Sequence, residues 1–287
     1  MNAVTSDAGS AGPLKQPQYV PGVLQPGQQR LTIRDLLMWG STSQAAIQFY
    51  REVSSTNGVG IQSTERTAPG ESDFVFESDS VNVATVGTTL PASEQIFADL
   101  PYLQSYIDSR LRYFLKLEEE KQLLLGSGIG QNIEGLYTAA TAYANPGVTV
   151  TSENRMDRLR LAILQAELAQ FDADGIVLSP VDWAQIELAK TASDKQYLVG
   201  NPFGQITPTL WGRPVVASQS MTAGNYLVGA FGMAAQGWDR QQMTVEIGRS
   251  GDDFKNVAVT LRAIERLALT IYRPAALIKG SFGSIAS

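Results

Sequence analysis

Between residues 123 and 135 the chain reads LLLGSGIGQNIEG, which places Gly126, Gly128 and Gly130 within five positions. Glycines at that density let backbone amides close on a phosphate, the chemistry of a nucleotide-binding loop. Such a loop must follow a strand and open a helix, so that helix amides meet the pyrophosphate. Here the glycines follow a helical apolar run. The third glycine of G-x-G-x-x-G would fall on Gln131, counted from Gly126, or on Ile133, counted from Gly128. The stretch therefore reads as a helix stop followed by a hinge.

Little other chemistry is available. The 287 residues contain no histidine and no cysteine, which removes imidazole bases, thiolate nucleophiles, disulfides and the commonest transition-metal ligands. No Ser-x-x-Lys spacing occurs, and the carboxylates from Glu118 to Glu120 fit a solvated helix face. No catalytic residue, cofactor site or metal site is expected. A formal net charge of −6 and a pI near 4.8, with no basic run interleaved with aromatics, argue against direct nucleic-acid binding. The longest apolar-rich stretch, residues 226–238, is too short to span a bilayer, and no signal peptide opens the chain, so no membrane partner is expected. With 44% hydrophobic residues the chain has ample material for a core.

Residues 1–29 carry Pro13, Pro17, Pro21 and Pro26 and read as an extended arm that needs a neighbour to order it. The folded body begins at about residue 30, where Thr32 or Asp35 opens a short helix and Gly40 stops it. From Val53 to Leu90, Thr, Ser and Val alternate around a central APGESD turn, which predicts one long hairpin, polar on both faces at its tip. A two-stranded ribbon of that length is marginal in water, so it is expected to lie on another subunit.

The strongest helix runs from Asp99 to Leu125, with Leu103, Ile107, Leu111 and Phe114 on its apolar side and Gly126 just past its end. Its length is about 38 Å. A second helix is expected over Arg155 to Phe171, a buried strand over 175–180, and a third helix over 181–190 opened by Pro180 and Asp182. Residues 193–218 form a loop leading into a strand with Val215 and Val216, and its aromatics Tyr197, Phe203 and Trp211 read as core or interface anchors. Three strand-like runs end the chain, the first two separated by the turn SGDDF at 250–254. Alternation at Val257, Val259, Leu261 and Ala263, with Arg262 opposite, predicts a long antiparallel pair with one wet face.

The stretches PGQQRLTIRDLL (26–37), LPYLQSYIDSRL (100–111), EGL (134–136), GIVLSPVDW (175–183), WGRPVV (211–216), WDR (238–240) and ERLALTIYRPAALIKG (265–280) resemble, in order, the major capsid proteins of tailed bacteriophages. The resemblance implies an α+β protein with the Hong Kong 97 type shell fold. Its parts would be an N-terminal arm (1–30), the start of a peripheral domain (31–50), an extended hairpin loop (51–90), and the peripheral domain with its spine helix (91–128). An α/β axial domain (129–225), peripheral strands (226–268) and a return to the axial domain (269–287) would follow. It also implies self-assembly as hexamers and pentamers into the icosahedral head of a virion, built in the host cytoplasm, enclosing double-stranded DNA without sequence-specific contacts. A portal and a scaffold would be further partners. Gly126, Gly128 and Gly130 would then lie where the spine helix crosses into the axial domain.

The best-known family member links its subunits covalently: a hairpin lysine attacks an asparagine on a neighbour's peripheral strand, helped by a buried glutamate. The corresponding positions here are Ala68, Val257 and Ile264, and no lysine lies between Lys15 and Lys116. No covalent crosslinking is therefore expected, and shell strength falls to the arm, the hairpin, the peripheral turn or a separate cement protein. Arg66, Glu71 and Asp73 near the hairpin tip, and Arg249, Asp252 and Asp253 around the turn, are the candidate interface residues. Many members carry an N-terminal scaffolding segment that is removed after assembly, and this chain begins near where the mature form would begin. Two alternatives stand: an encapsulin, a bacterial cargo compartment on the same fold, and an α/β enzyme working with carboxylates alone.

Overall fold

The computed structural model describes residues 26–30, 32–61, 68, 70–95, 101–190 and 208–283. Arg66, Tyr197 and Phe203 lie outside the described residues. The chain builds two sheets and a separate ribbon. In the first sheet, β1 (Met38–Ser41), β10 (Ala235–Gly248), β11 (Ala258–Ile271) and β4 (Ala84–Ser93) lie side by side. The second orders β5 (Thr141–Ala142), β12 (Leu277–Ser281), β9 (Asn225–Gly229), β6 (Gly175–Leu178), β8 (Arg213–Ala217) and β7 (Thr209–Leu210). The ribbon pairs β2 (Ala46–Thr56) with β3 (Asp73–Asn82).

Helix α1 (Pro101–Leu125) joins the two sheets. Leu111 and Leu115 pack on Leu261 and Ala263 of β11, while Leu123 and Leu124 enter a core shared with Leu227 of β9 and Leu267 of β11. The buried seam therefore advances by fours through Leu111, Leu115, Glu119 and Leu123. Phe114, expected on that seam, is 45% exposed and carries the Arg110 guanidinium 4.7 Å above its ring. The flat face of the sheet meets the side that drifts by four, and three-residue steps lead away from it.

The Val53 to Leu90 hairpin divides in two. Its ribbon opens earlier, at Ala46, and ends at Asn82, after which buried Val83 and Ala84 carry the chain into the first sheet. There β4 pairs antiparallel with β11, from Ala84↔Leu267 to Ser93↔Ala258. Its Val and Thr alternation belongs to a half-covered strand, with Leu90 and Ala92 under α1.

Only a 3-10 turn, Arg34–Leu36, replaces the short helix expected after Thr32. Gly40 does not stop it but lies within β1, which runs parallel to β10 with Trp39↔Gly237 and Gly40↔Trp238 in register. Each glycine makes room for the other strand's indole: a Cβ on Gly40 would sit 2.8 Å from the Trp238 ring, and one on Gly237 2.7 Å from Trp39.

In the second sheet, β8 and β9 flank β6, and it is buried at all four positions because Val177 enters one core while Ile176 and Leu178 enter the other. Helix α2 (Arg155–Leu168) starts at a capping box between Asn154 and Asp157 and stops short of Phe171, where Gln170 turns left-handed. Helix α3 (Pro180–Glu187) is capped by Ser179. Pro180 and Asp182 stand in its first turn as expected, and the buried Asp182 carboxylate accepts from Arg155 at 2.6 Å and from the Gly224 amide at 2.7 Å. Strand β9, within the stretch assigned to the peripheral strands, belongs to this second sheet. Trp211 is exposed and donates its indole N–H to the Met156 carbonyl at 3.2 Å.

Leu115→Ala should lower unfolding free energy by about 2–5 kcal/mol, and Phe114→Ala by less than about 1 kcal/mol. Denaturant titration of both variants checks this; the reverse order would place the seam of α1 wrongly.

Candidate functional site

The side chains with the most demanding electrostatics lie where the root of the arm meets α1. Arg34 donates to Glu119 of α1 and, at 2.5 Å, to Asp239 of β10, and its guanidinium stands 3.7 Å from Glu265 of β11. The same guanidinium lies 3.6 Å over the Trp39 ring, whose N–H donates to the Arg34 carbonyl at 2.9 Å. Glu120 faces a different side of the helix: it accepts from the Thr32 amide at 2.8 Å and from Ser218 at 2.5 Å. Gln29 completes the seam, its amide N–H on the Tyr113 hydroxyl at 2.8 Å and its side chain on Ser220 at 3.1 Å. The arm root, the long helix, the first sheet and the segment after β8 are thus held by one polar seam.

Glu119 and Glu120 are each 3% exposed, so the solvated-face reading of Glu118 to Glu120 fails for two of the three. A signal was present: Glu119 stands four residues after Leu115 and four before Leu123, on the apolar seam. Burial pushes the Glu119 carboxyl up, against the pull of Arg34. Burial also raises Glu265, to about 7, with the nearby Glu119 charge adding to it and Arg34 opposing.

The turn between β10 and β11 is held by ion pairs and hydrogen bonds within the chain. Arg249 pairs with Glu94 at 2.8 Å and lies over the exposed Phe254 ring. Asp252 accepts from Lys255 at 3.2 Å. Asp253 accepts from Thr260 at 2.7 Å and from the Ser250 amide at 2.8 Å, which holds its carboxyl below the usual range. Val257, expected as the first inward residue of the strand, lies before β11, half exposed, with φ of 50°. A β-branched residue in the left-handed region is strained.

The ribbon presents side chains to solvent on both faces. Tyr50, Phe74 and Phe76, within the paired strands, are 71%, 57% and 66% exposed, and Val59 and Ile61 are exposed beyond them, while residues 62–67 and 69 of the tip lie outside the described residues. Glu71 and Asp73 are exposed near its far end, and Ala68 is exposed. At its base Phe49 packs edge-on against Tyr272 at 5.1 Å. Ile264, in mid β11, pairs with Thr244 and Gly87, its side chain on the face opposite Glu265.

The glycine loop after α1 is tied to itself. Gly135 donates to the Gly126 carbonyl at 3.0 Å and Gly128 to the Ile133 carbonyl at 3.1 Å, around a bridge between Ser127 and Glu134. Gly128 and Gly130 have φ of 68° and 69°. Gly126 has no such requirement, but a Cβ there would strike the Ile133 and Gln122 carbonyl oxygens.

The sequence profile of the phage capsid family matches residues 11–282. The chain belongs to the phage capsid family. It is 45% identical over 280 residues to the major capsid protein of Enterobacteria phage HK97, a match that covers 97% of this chain and 72% of that protein. Among solved structures, the capsid of an empty GTA particle superposes with a TM-score of 0.77 at 15% identity, covering 96% of this chain and 97% of that one. A structure from Microbacterium phage Oxtober96 gives 0.76 at 13% identity, covering 94% of each. This capsid protein therefore has the HK97-type α+β fold and a structural role in the virion. Among the described residues of the capsid protein no cluster of metal ligands occurs, and no helix is long and apolar enough to cross a membrane.

Gly126→Ala should cost about 3 kcal/mol, because backbone must move, whereas Gly130→Ala, with open space around it, should cost about 1 kcal/mol for its positive φ alone. Thermal unfolding of the two variants reads the difference, and equal losses would show that enclosure at Gly126 is not what matters. Val257→Asn should raise stability by about 1 kcal/mol, since asparagine tolerates the left-handed region; an unchanged or lower Tm would contradict the strain at this turn.

Proposed function

We propose that many copies of this chain assemble as hexamers and pentamers into the icosahedral head that encloses a phage's double-stranded DNA. One observation carries the reading: a ribbon of paired strands with aromatic side chains exposed on both faces cannot be stable alone in water. It would lie on the neighbouring subunit. The relative at 45% identity is a phage capsid protein, which favours a phage head over a bacterial cargo compartment. No turnover is required of such a protein, so it is read as a structural component and not an enzyme.

Contacts in this shell are non-covalent. Ala68, Val257 and Ile264 offer neither the amine, the amide nor the carboxyl that an isopeptide link needs. Strength would come from repetition, since each exposed ion pair is weak and only many copies make such contacts count. Glu71 and Asp73, and Arg249, Asp252 and Asp253 if they exchange their contacts within the chain, are the charges that would meet neighbours, and a cement protein on the outer surface would reinforce them. The loop holding Gly126, Gly128 and Gly130 is where one subunit would adjust between hexamer and pentamer. The acidic balance suits a container whose inner wall must let DNA slide.

Negative-stain electron microscopy of the purified protein, with a boiled denaturing gel of the same sample, tests the reading. Hollow icosahedral particles dissolving to one band near 31.0 kDa are expected. A ladder of multimers would overturn the non-covalent shell, and a persistent monomer, even with a scaffold supplied, would overturn the assembly itself.

A further inference from the structure

Four ionisable side chains from four segments converge at the root of the arm: Arg34 from the 3-10 turn, Glu119 from α1, Asp239 from β10 and Glu265 from β11. Three carboxylates share one guanidinium. Glu265 is 3% exposed, and its Oε2, like Oδ1 of Asp239, has no hydrogen-bond partner. An unpartnered buried carboxylate oxygen is costly when charged, and among the described residues neither a second cation nor a donor fills the position. A proton would.

We propose that this cluster is a proton-binding site, with the proton on Glu265, and that its occupancy sets how firmly Arg34 holds the root of the arm to α1. With the proton bound, Glu119 and Asp239 divide the guanidinium between them, and Glu265 is neutral. Without it, a third carboxylate, itself buried, competes for Arg34.

The other groups around the cluster leave this balance intact. Lys116, one turn before Glu119 on α1, adds positive charge from the exposed side and lowers both glutamates without reversing the shift. Glu120 is turned toward Thr32 and Ser218. Arg266, next along β11, points to the opposite face by strand alternation. Across the sheet, β4 places Val86 opposite Glu265 and Thr85 opposite Arg266, so it contributes no charge, and β1 contributes the Trp39 ring.

Glu265 titrates near 7 in the folded chain against an ordinary value of 4.5. Between those values the folded state holds a proton that the unfolded chain has released. The stability this group contributes is therefore full below about pH 4.5, falls as pH rises toward 7, and levels off above it. All four groups belong to one chain, so the inference does not depend on whether shells form.

Trp39 reports on the site directly, because the Arg34 guanidinium lies on its ring. Tryptophan emission of the native full-length protein is followed from about pH 5 to about pH 9, with Trp39→Phe subtracted to isolate the Trp39 signal. A sigmoidal Trp39 transition centred near 7 is expected, and it should disappear in Glu265→Gln. A flat wild-type signal overturns the proposal whatever the variant does, and so does a transition that persists in Glu265→Gln. Should that variant fail to fold, the wild-type thermal midpoint decides: it must fall as pH rises toward 7 and then level, and a midpoint constant or rising through that window overturns the proposal.

Discussion

One guanidinium is shared by three carboxylates brought from three separated parts of the chain, two of them buried, and several elements meet at that point. Arg34 reaches Glu119 on the long helix, Asp239 on one strand and Glu265 on the next. Removing it would leave three acids facing each other, two of them buried, a larger penalty than losing a surface pair. Its position follows from the tight turn at Arg34–Leu36 and from the parallel strand that succeeds it, whose interlocked tryptophans and glycines allow no slippage. The polar cluster and this interlock thus act at the same end of the first sheet.

The long helix is the second dependency. Its two ends serve different cores: Leu111 and Leu115 close the outer part of the first sheet, while Leu123 and Leu124 belong to a core that includes residues of both sheets. The two sheets are thus coupled through the C-terminal third of one helix, and the self-bonded glycine loop at its end sets how the chain leaves it.

Much of this was legible in the sequence. The 25-residue helix, the buried strand at 175–178, the turn near 250 and the family itself follow from periodicity, glycine and proline placement, and motif order. The ribbon's true extent did not, because alternation of Val and Thr looks the same in a free hairpin and in a strand covered on one face by a helix; only the pairing partner tells them apart. The carboxylate cluster was missed for a related reason. Three glutamates in a row read as solvent-facing by composition, although the spacing of Glu119 from Leu115 and Leu123 marked it as interior. Asp182 stands in the first turn of its helix as its position suggested, but nothing local showed that its carboxylate is also a buried tie to Arg155. Polar residues are read poorly from composition because their environment is decided by partners far away in the chain.

The pairing of β1 with β10 joins residues 38–41 to residues 236–239, nearly two hundred positions downstream. Contacts of such long range are slow to form, since the loop must close before any contact rewards it. During synthesis β1, its tryptophan and Arg34 wait without partners until most of the chain has emerged, while the aromatic ribbon that follows is already out. The first sheet can close only late, after the protein is nearly complete. The timing of folding is thereby set by the C-terminal strands, and the nascent chain is most vulnerable to sticking in the interval before they arrive.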